Sequence, residues 1–198
     1  LEFLRLTVPY AIKPESRAFA LLGQRHHAGL ATLADGDAIS EASFVGDDYS
    51  GHPDFYQEGV LWDYKTWGSF KVARFRGLVA DLMDDPNGAT YARSGAWGRA
   101  GTLKQVKVWS PSALMANTAD ADWQLNAYRL LLEAHGHPVK RMRLQITVRD
   151  GGLAIATSRG VDFLIRAFDV QRLPDVDVEA YFSAKRTQLL AALASGKA

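Results

Sequence analysis

The sequence has no cysteine anywhere in its 198 residues. Disulfides, cysteine zinc sites and cysteine-ligated iron–sulfur clusters are therefore excluded within this chain. The absence fits a reducing compartment, and a cytoplasmic location is the expectation. Long apolar runs are missing too. None approaches the roughly 18 residues of a membrane span, so no membrane partner is expected. No secretory-signal pattern opens the chain. It begins at Leu1 rather than Met, as expected of a processed chain or of one domain of a larger protein. There is no G-x-x-x-x-G-K-[ST] loop and no G-x-G-x-x-G fingerprint, so a nucleotide cofactor has no support. Internal repeats and low-complexity tracts are also lacking.

What is present is a chain of which 47% is hydrophobic, enough for one full core. Its formal net charge of +1 hides a local asymmetry. From residue 35 to 63 the acids Asp35, Asp37, Glu41, Asp47, Asp48, Asp54, Glu58 and Asp63 meet no Lys or Arg. From 65 to 107 the balance reverses: Lys65, Lys71, Arg74, Arg76, Arg93, Arg99, Lys104 and Lys107 face Asp81, Asp84 and Asp85. Taken alone, such runs are solvated faces as readily as sites. An acidic pocket beside a basic stretch is also what a metal-dependent enzyme acting on a polyanion needs.

Spacing predicts a helix over 14–34, with Pro14 and Glu15 in its first turn and Phe19, Leu22, His26, Leu30 and Leu33 along one face. Asp35-Gly36-Asp37 ends it. A strand is expected over 38–46, then two strands joined at Gln57-Glu58-Gly59. Residues 70–84 read as a helix. Residues 86–119 read as an irregular or inserted segment with a short strand over 103–109. A helix follows over 121–135, with Asp120 or Asp122 as its cap. Strands are expected over 140–149, 153–157 and 162–171, and a final helix over 176–194. The order implies one α/β domain spanning 1–198, with a central mixed sheet flanked by helices.

The stretch "GHPDFYQEGVLWDYKT", residues 51–66, carries the chemistry. Val60, Leu61, Trp62 and Tyr64 suit a strand. Alternation then sends Asp63 and Lys65 to one face, and Trp62 and Tyr64 to the other. Alone, Asp63 and Lys65 would be a surface pair worth at most about 1 kcal/mol. The turn at 57–59, however, sets Asp54 beside Asp63 on adjacent strands. Two carboxylates held together repel unless a proton or a cation lies between them, and hard oxygen donors suit Mg²⁺ or Mn²⁺.

Four elements, in order, resemble the PD-(D/E)XK nuclease superfamily, in its RecB-like branch of DNA exonucleases. "LGQRHHAGL" is similar to the branch's G-x-x-x-H helix and aligns Gly23 and His27. "GHPD" is similar to its G-x-x-D and supplies Asp54. "LWDYKT" is close to the D-Y-K-T signature and supplies Asp63, Tyr64, Lys65 and Thr66. "DWQLNAYRLLL" resembles the Q-x-x-x-Y helix and supplies Gln124 and Tyr128. The likeness covers roughly residues 20–135.

The resemblance implies a restriction-endonuclease-like core and a Mg²⁺- or Mn²⁺-dependent deoxyribonuclease with one or two ions. Exonuclease action, in DNA repair, recombination or CRISPR-type processing, follows from the family alone. It implies His27, Asp54, Asp63 and the Tyr64 carbonyl as metal ligands. Lys65 would orient or help deprotonate the attacking water, or offset charge in the transition state. Gln124 and Tyr128, four apart and on one helix face, would approach the DNA. The iron–sulfur cysteines of some relatives are missing. His26 faces about 100° away from His27 and has a different role. Glu41 lies on the preceding strand, with its role left open. His52 is incidental, and Trp62 and Trp67 are core or pocket wall. Basic residues of 71–107 would contact phosphates without reading sequence. A larger helicase–nuclease or CRISPR assembly is a possible partner. The alternative is a non-catalytic DNA- or protein-binding module of the same fold.

Overall fold

A computed structural model describes residues 14–32, 36–96 and 98–195. Leu1, Leu33, Asp35 and the last residues of the chain lie outside them. The described elements run α1 (Pro14–Ala31), β1 (Ile39–Ser40), β2 (Phe44–Val45), β3 (Ser50–Gly51), β4 (Phe55–Gln57) and β5 (Val60–Trp67). They continue α2 (Ser69–Arg76), β6 (Leu78–Asp84), β7 (Gln105–Pro111), α3 (Ala119–Ala134), β8 (Arg141–Val148), α4 (Ala154–Thr157), β9 (Ile165–Val170) and α5 (Asp175–Ser195). This is an α/β protein with a mixed central sheet flanked by helices. No described helix is long and apolar enough to cross a membrane.

The chain divides into two compact units. The first comprises residues up to Thr66, Ala119–Thr147, and Ile165 onward. Its sheet has the order β1-β4-β5-β8-β9. The ladders β1–β4, β4–β5 and β8–β9 are antiparallel, so the β5–β8 join makes the sheet mixed. Strand β8 alternates cleanly, and its Met142, Leu144 and Ile146 are buried in this unit. Leu61, Leu125, Leu132 and Val178 complete this core. Strands β2 and β3 form a separate antiparallel pair, and α3 packs on both.

The second unit comprises Trp67–Thr118 and Val148–Leu164. Val72, Phe75, Val148, Ala156, Val161 and Phe163 are buried apolar residues in it. Helix α2 has Gly68 at its N-cap and no cap from that residue's side chain. Asp150 supplies it instead: Ser69 N–H donates to Oδ1 and Ser69 Oγ–H to Oδ2, both at 2.6 Å. Gly77 ends the helix in the left-handed region, φ 60°, and its N–H closes on the last turn.

Several expectations need correction. The helix read over 70–84 stops at Arg76, and Leu78–Asp84 is a strand. Gly77 breaks the helix, and a Cβ there would collide with the backbone of Ser112 and Ala116. The segment expected to be irregular contains the other half of that ribbon. β7 pairs with β6 antiparallel from Leu78↔Pro111 to Asp84↔Gln105. The strand read over 38–46 is split into β1 and β2, because Glu41 takes φ 53° and turns the chain. The strand read over 153–157 is the short helix α4. On α1, Leu22 is half-exposed, and the inward line runs through Gly23, His26, His27 and Leu30. Helix α3 starts at Ala119, so Asp120 and Asp122 lie inside its first turn, where acids favour the helix dipole.

Candidate metal centre

The hairpin β4–β5 organises the site. Its loop is Glu58-Gly59, with φ 51° and 85°. Two positive φ values make this a primed turn, whose twist matches the flanking strands. The register Phe55↔Trp62, Tyr56↔Leu61 and Gln57↔Val60 follows. Continued by one residue, it puts Asp54 opposite Asp63. The turn chemistry at 57–59 thus delivers the pair of acids expected from sequence.

Asp54 is 8% exposed and Asp63 is fully buried. The Tyr64 N–H donates to Asp54 Oδ2 at 2.6 Å, which ties the first acid to the strand of the second. Ser40 Oγ–H donates to the Asp54 carbonyl from β1. Asp63 is held by Lys65 on the same strand face. The ammonium donates to Oδ1 at 2.9 Å and lies 2.8 Å from Oδ2. That second approach is in ion-pair range but off the hydrogen-bond direction, and Oδ2 accepts no hydrogen bond among the described residues.

Helix α1 brings His27. Its Nε2 lies 2.6 Å from the Tyr64 carbonyl oxygen. A carbonyl only accepts, so Nε2 carries the proton in this geometry. Nδ1 then turns its lone pair toward Asp54 Oδ1 at 3.5 Å and Glu41 Oε1 at 3.8 Å. Three lone pairs converging this way repel until a proton on Nδ1 or a cation fills the gap. The donor atoms of His27, Glu41 and Asp54 all lie within 4.8 Å of one another. One imidazole and two carboxylates suit Mn²⁺ or Mg²⁺. Glu41 owes its place to its left-handed backbone at the end of β1, a conformation costly for a residue with a Cβ. His26 points elsewhere, with its Nε2 3.2 Å from Thr147 Oγ1 on β8.

Burial raises the pKa of Asp54, opposed by the Tyr64 N–H, His27 and Lys65 and reinforced by Glu41. Burial also pushes Asp63 up, to about 6, with Asp54 adding to the rise and Lys65 opposing it. Burial alone would lower Lys65, but the adjacent Asp63 carboxylate outweighs it and holds the ammonium above its ordinary value.

Helix α3 supplies Gln124 and Tyr128. Gln124 Nε2–H donates to Tyr128 Oη at 2.9 Å. Burial raises the Tyr128 pKa, and its hydroxyl lies within electrostatic reach of Asp63, Lys65 and Asp54. Gly51, the glycine of "GHPD", makes this approach possible: a Cβ there would stand 2.6 Å from the Tyr128 ring. The helix is locked by two buried polar residues that sequence reasoning missed. Asn126 donates to the Asp122 and Gln171 carbonyls and accepts from Leu173 N–H. Arg129 pairs with Glu133 at 2.9 Å and Asp175 at 2.8 Å, and donates to the Leu173 carbonyl.

The structure places His27, Asp54 and Glu41 together, while the Tyr64 carbonyl adjoins them as acceptor for His27 Nε2–H. Asp63 is not in that three-residue cluster; it stands beside it in the grip of Lys65. His52 is exposed. Trp62 packs under Arg143, and Trp67 against Phe75 and Lys71. Arg93, Arg99, Lys104 and Lys107 are exposed on the second unit. Comparisons with protein-family models, curated proteins and solved structures each returned no match.

Proposed function

We propose that this chain is a metal-dependent nuclease that hydrolyses DNA phosphodiester bonds, an exonuclease of RecB-like type on a restriction-endonuclease-like core. The observation that carries the reading is the convergence of His27, Glu41 and Asp54 beside the buried Asp63–Lys65 pair. His27, Asp54 and Glu41 would hold the cation, with the Lys65-paired Asp63 carboxylate adjoining. A bound Mg²⁺ or Mn²⁺ would polarise the phosphate and supply an activated water. Lys65 holds Asp63 in place and keeps a positive charge at the point where charge builds on the phosphate oxygens. Tyr128, held by Gln124, lies within electrostatic reach of the same carboxylates. None of these contacts reads a base, so recognition is sequence-tolerant and salt-sensitive.

The test is cleavage of end-labelled DNA with Mg²⁺, Mn²⁺ or EDTA, in wild type, Asp54→Asn and Asp63→Asn. Cleavage supported by metal, stopped by EDTA and reduced about 10²- to 10³-fold or more in each variant is expected. Mn²⁺ binding measured by calorimetry is expected to weaken in Asp54→Asn. Salt-sensitive DNA binding with no cleavage under either metal would replace this reading with a non-catalytic module.

A further inference from the structure

Tyr128 and Gln124 also line a groove of about 330 Å³ whose other aromatic walls the hydrolytic reading does not use. It is lined by Tyr49 from the β2–β3 turn, Trp123 and Tyr128 from α3, and Tyr181 and Phe182 from α5. Trp123 and Tyr181 stack with centroids 4.2 Å apart and planes 3° from parallel. Tyr49 and Phe182 pack at 4.6 Å. Each of the five aromatic residues is only part-buried.

We infer that this groove is a stacking pocket for one unpaired nucleobase of the strand being cut. Three features select that occupant. The lining is aromatic; Trp123 and Tyr181 already cover one face of each other, so a base would stack on an outward face of the ring cluster. Tyr128 lines the groove and is also within electrostatic reach of Asp63 and Asp54, so a base seated here belongs to the strand whose phosphate reaches the centre. The charge is placed to match. The charged residue of the lining is the acid Asp120, which suits the amino edge of a base and rejects a phosphate. A cation stands beside the rings, with Lys185 Nζ 5.5 Å from the Tyr181 centroid, where the backbone of a stacked nucleotide would need it. The volume sits at the low end of the roughly 300–1,000 Å³ of ligand pockets, room for one nucleotide and not for a base pair in its helix. Bases inside a duplex are covered on both faces, so the pocket favours single strands and frayed ends.

The inference rests on the nuclease reading for its choice of ligand, but the test does not need cleavage. Trp123 fluorescence is followed in EDTA as oligo(dT) or a blunt duplex is added to wild type, Tyr181→Leu, Tyr181→Phe and Phe182→Leu. Trp123→Phe identifies the signal. Single strands are expected to quench Trp123. Affinity for them is expected to fall about tenfold or more in Tyr181→Leu and Phe182→Leu, to survive in Tyr181→Phe, and to leave duplex affinity unchanged. Retention in the phenylalanine variant separates a lost stacking face from a lost fold. Absence of quenching, with equal single-strand affinity in all variants, overturns the pocket whether or not the chain cleaves DNA. Ring-dependent quenching in a protein that cleaves nothing under Mg²⁺ or Mn²⁺ sustains the pocket and sinks the nuclease reading.

Discussion

Two antiparallel hairpins in this protein differ in almost everything but their hydrogen bonding. β4–β5 has three paired positions and a two-residue turn. It buries Leu61 and Asp63 completely. β6–β7 has seven paired positions, yet every residue of β6 after Leu78 is exposed. An acid on the exposed ribbon keeps its water, as Asp81 does, and needs no explanation. An acid sealed inside a hairpin loses its hydration, which costs several kcal/mol unless something compensates. Asp63 is such an acid, and burial raises its pKa to about 6. Burial, more than residue type, is what turns a carboxylate into a functional candidate.

The largest expected effect comes from emptying the buried hairpin while making the same change on the open one. Leu61→Ala is expected to cost about 2–5 kcal/mol, since the side chain is fully enclosed. Leu82→Ala, at a residue 66% exposed, is expected to stay within about 0.5 kcal/mol. Urea unfolding of both variants checks the contrast. A large loss in Leu82→Ala would mean that the ribbon is covered in solution.

The next effect is at Gly51. A Cβ there would meet the Tyr128 ring at 2.6 Å and the Leu131 side chain at 3.2 Å. Gly51→Ala is expected to cost about 1–3 kcal/mol through overpacking. It is also expected to slow cleavage by moving Tyr128 off the carboxylates. Unchanged stability and unchanged cleavage would show that α3 shifts freely against β3, and that its register does not set the site.

The same contrast explains what the sequence disclosed. Asp54, Asp63 and Lys65 were legible because alternation and a local turn place them. Turn and strands are contiguous, so short-range chemistry decides. The ribbon was not legible: "LVADLMD" spaces Leu78 and Leu82 as a helix would, and only pairing with the distant Gln105–Pro111 makes it a strand. Glu41 joined the cluster through a left-handed turn that its residue type disfavours. Nothing in the sequence singled out Arg129, which is buried on α3. Its burial depends on Leu173 and Asp175, which arrive from beyond β9. The aromatic groove was missed for the same reason, since Trp123 and Tyr181 are far apart in the chain. The strand expected over 153–157 is a single helical turn, too short for periodicity to separate the two.

A smaller effect tests the second unit by itself. Asp150 caps α2 by accepting from Ser69 N–H and Oγ–H, and Arg159 Nη1–H also donates to Ser69 Oγ, at 2.9 Å. Burial alone would raise the Asp150 pKa, but the Ser69 hydrogen bonds and Arg159 prevail and lower it. A lowered folded-state value means that the unfolded chain binds the proton more tightly. The stability Asp150 contributes is therefore complete above the ordinary value of 3.8, and is lost as pH falls through the folded value. Asp150→Ala is expected to cost about 1 kcal/mol at pH 7. The difference from wild type should vanish in strong acid, as read by thermal melts across pH. A difference that persists there would assign the effect to packing instead of the cap.

The smallest expected effect separates two glycines that the motif treats alike. Gly23 opens the G-x-x-x-H element as Gly51 opens "GHPD". A Cβ at Gly51 strikes a ring, whereas a Cβ at Gly23 would lie 3.7 Å from Thr66 Oγ1, an ordinary contact. Gly23 sits inside α1, where glycine costs a helix roughly 0.5–1 kcal/mol relative to alanine. Gly23→Ala is therefore expected to stabilise the protein by a few tenths of a kcal/mol to about 1 kcal/mol. Cleavage should be unchanged, because the helix that carries His27 keeps its path. Denaturant midpoints and cleavage rates measured side by side decide it. A loss of activity with stability intact would mean that α1 must approach β5 more closely during the reaction than it does here. Gly23 would then be a clearance residue for His27 rather than an unoptimised helix position.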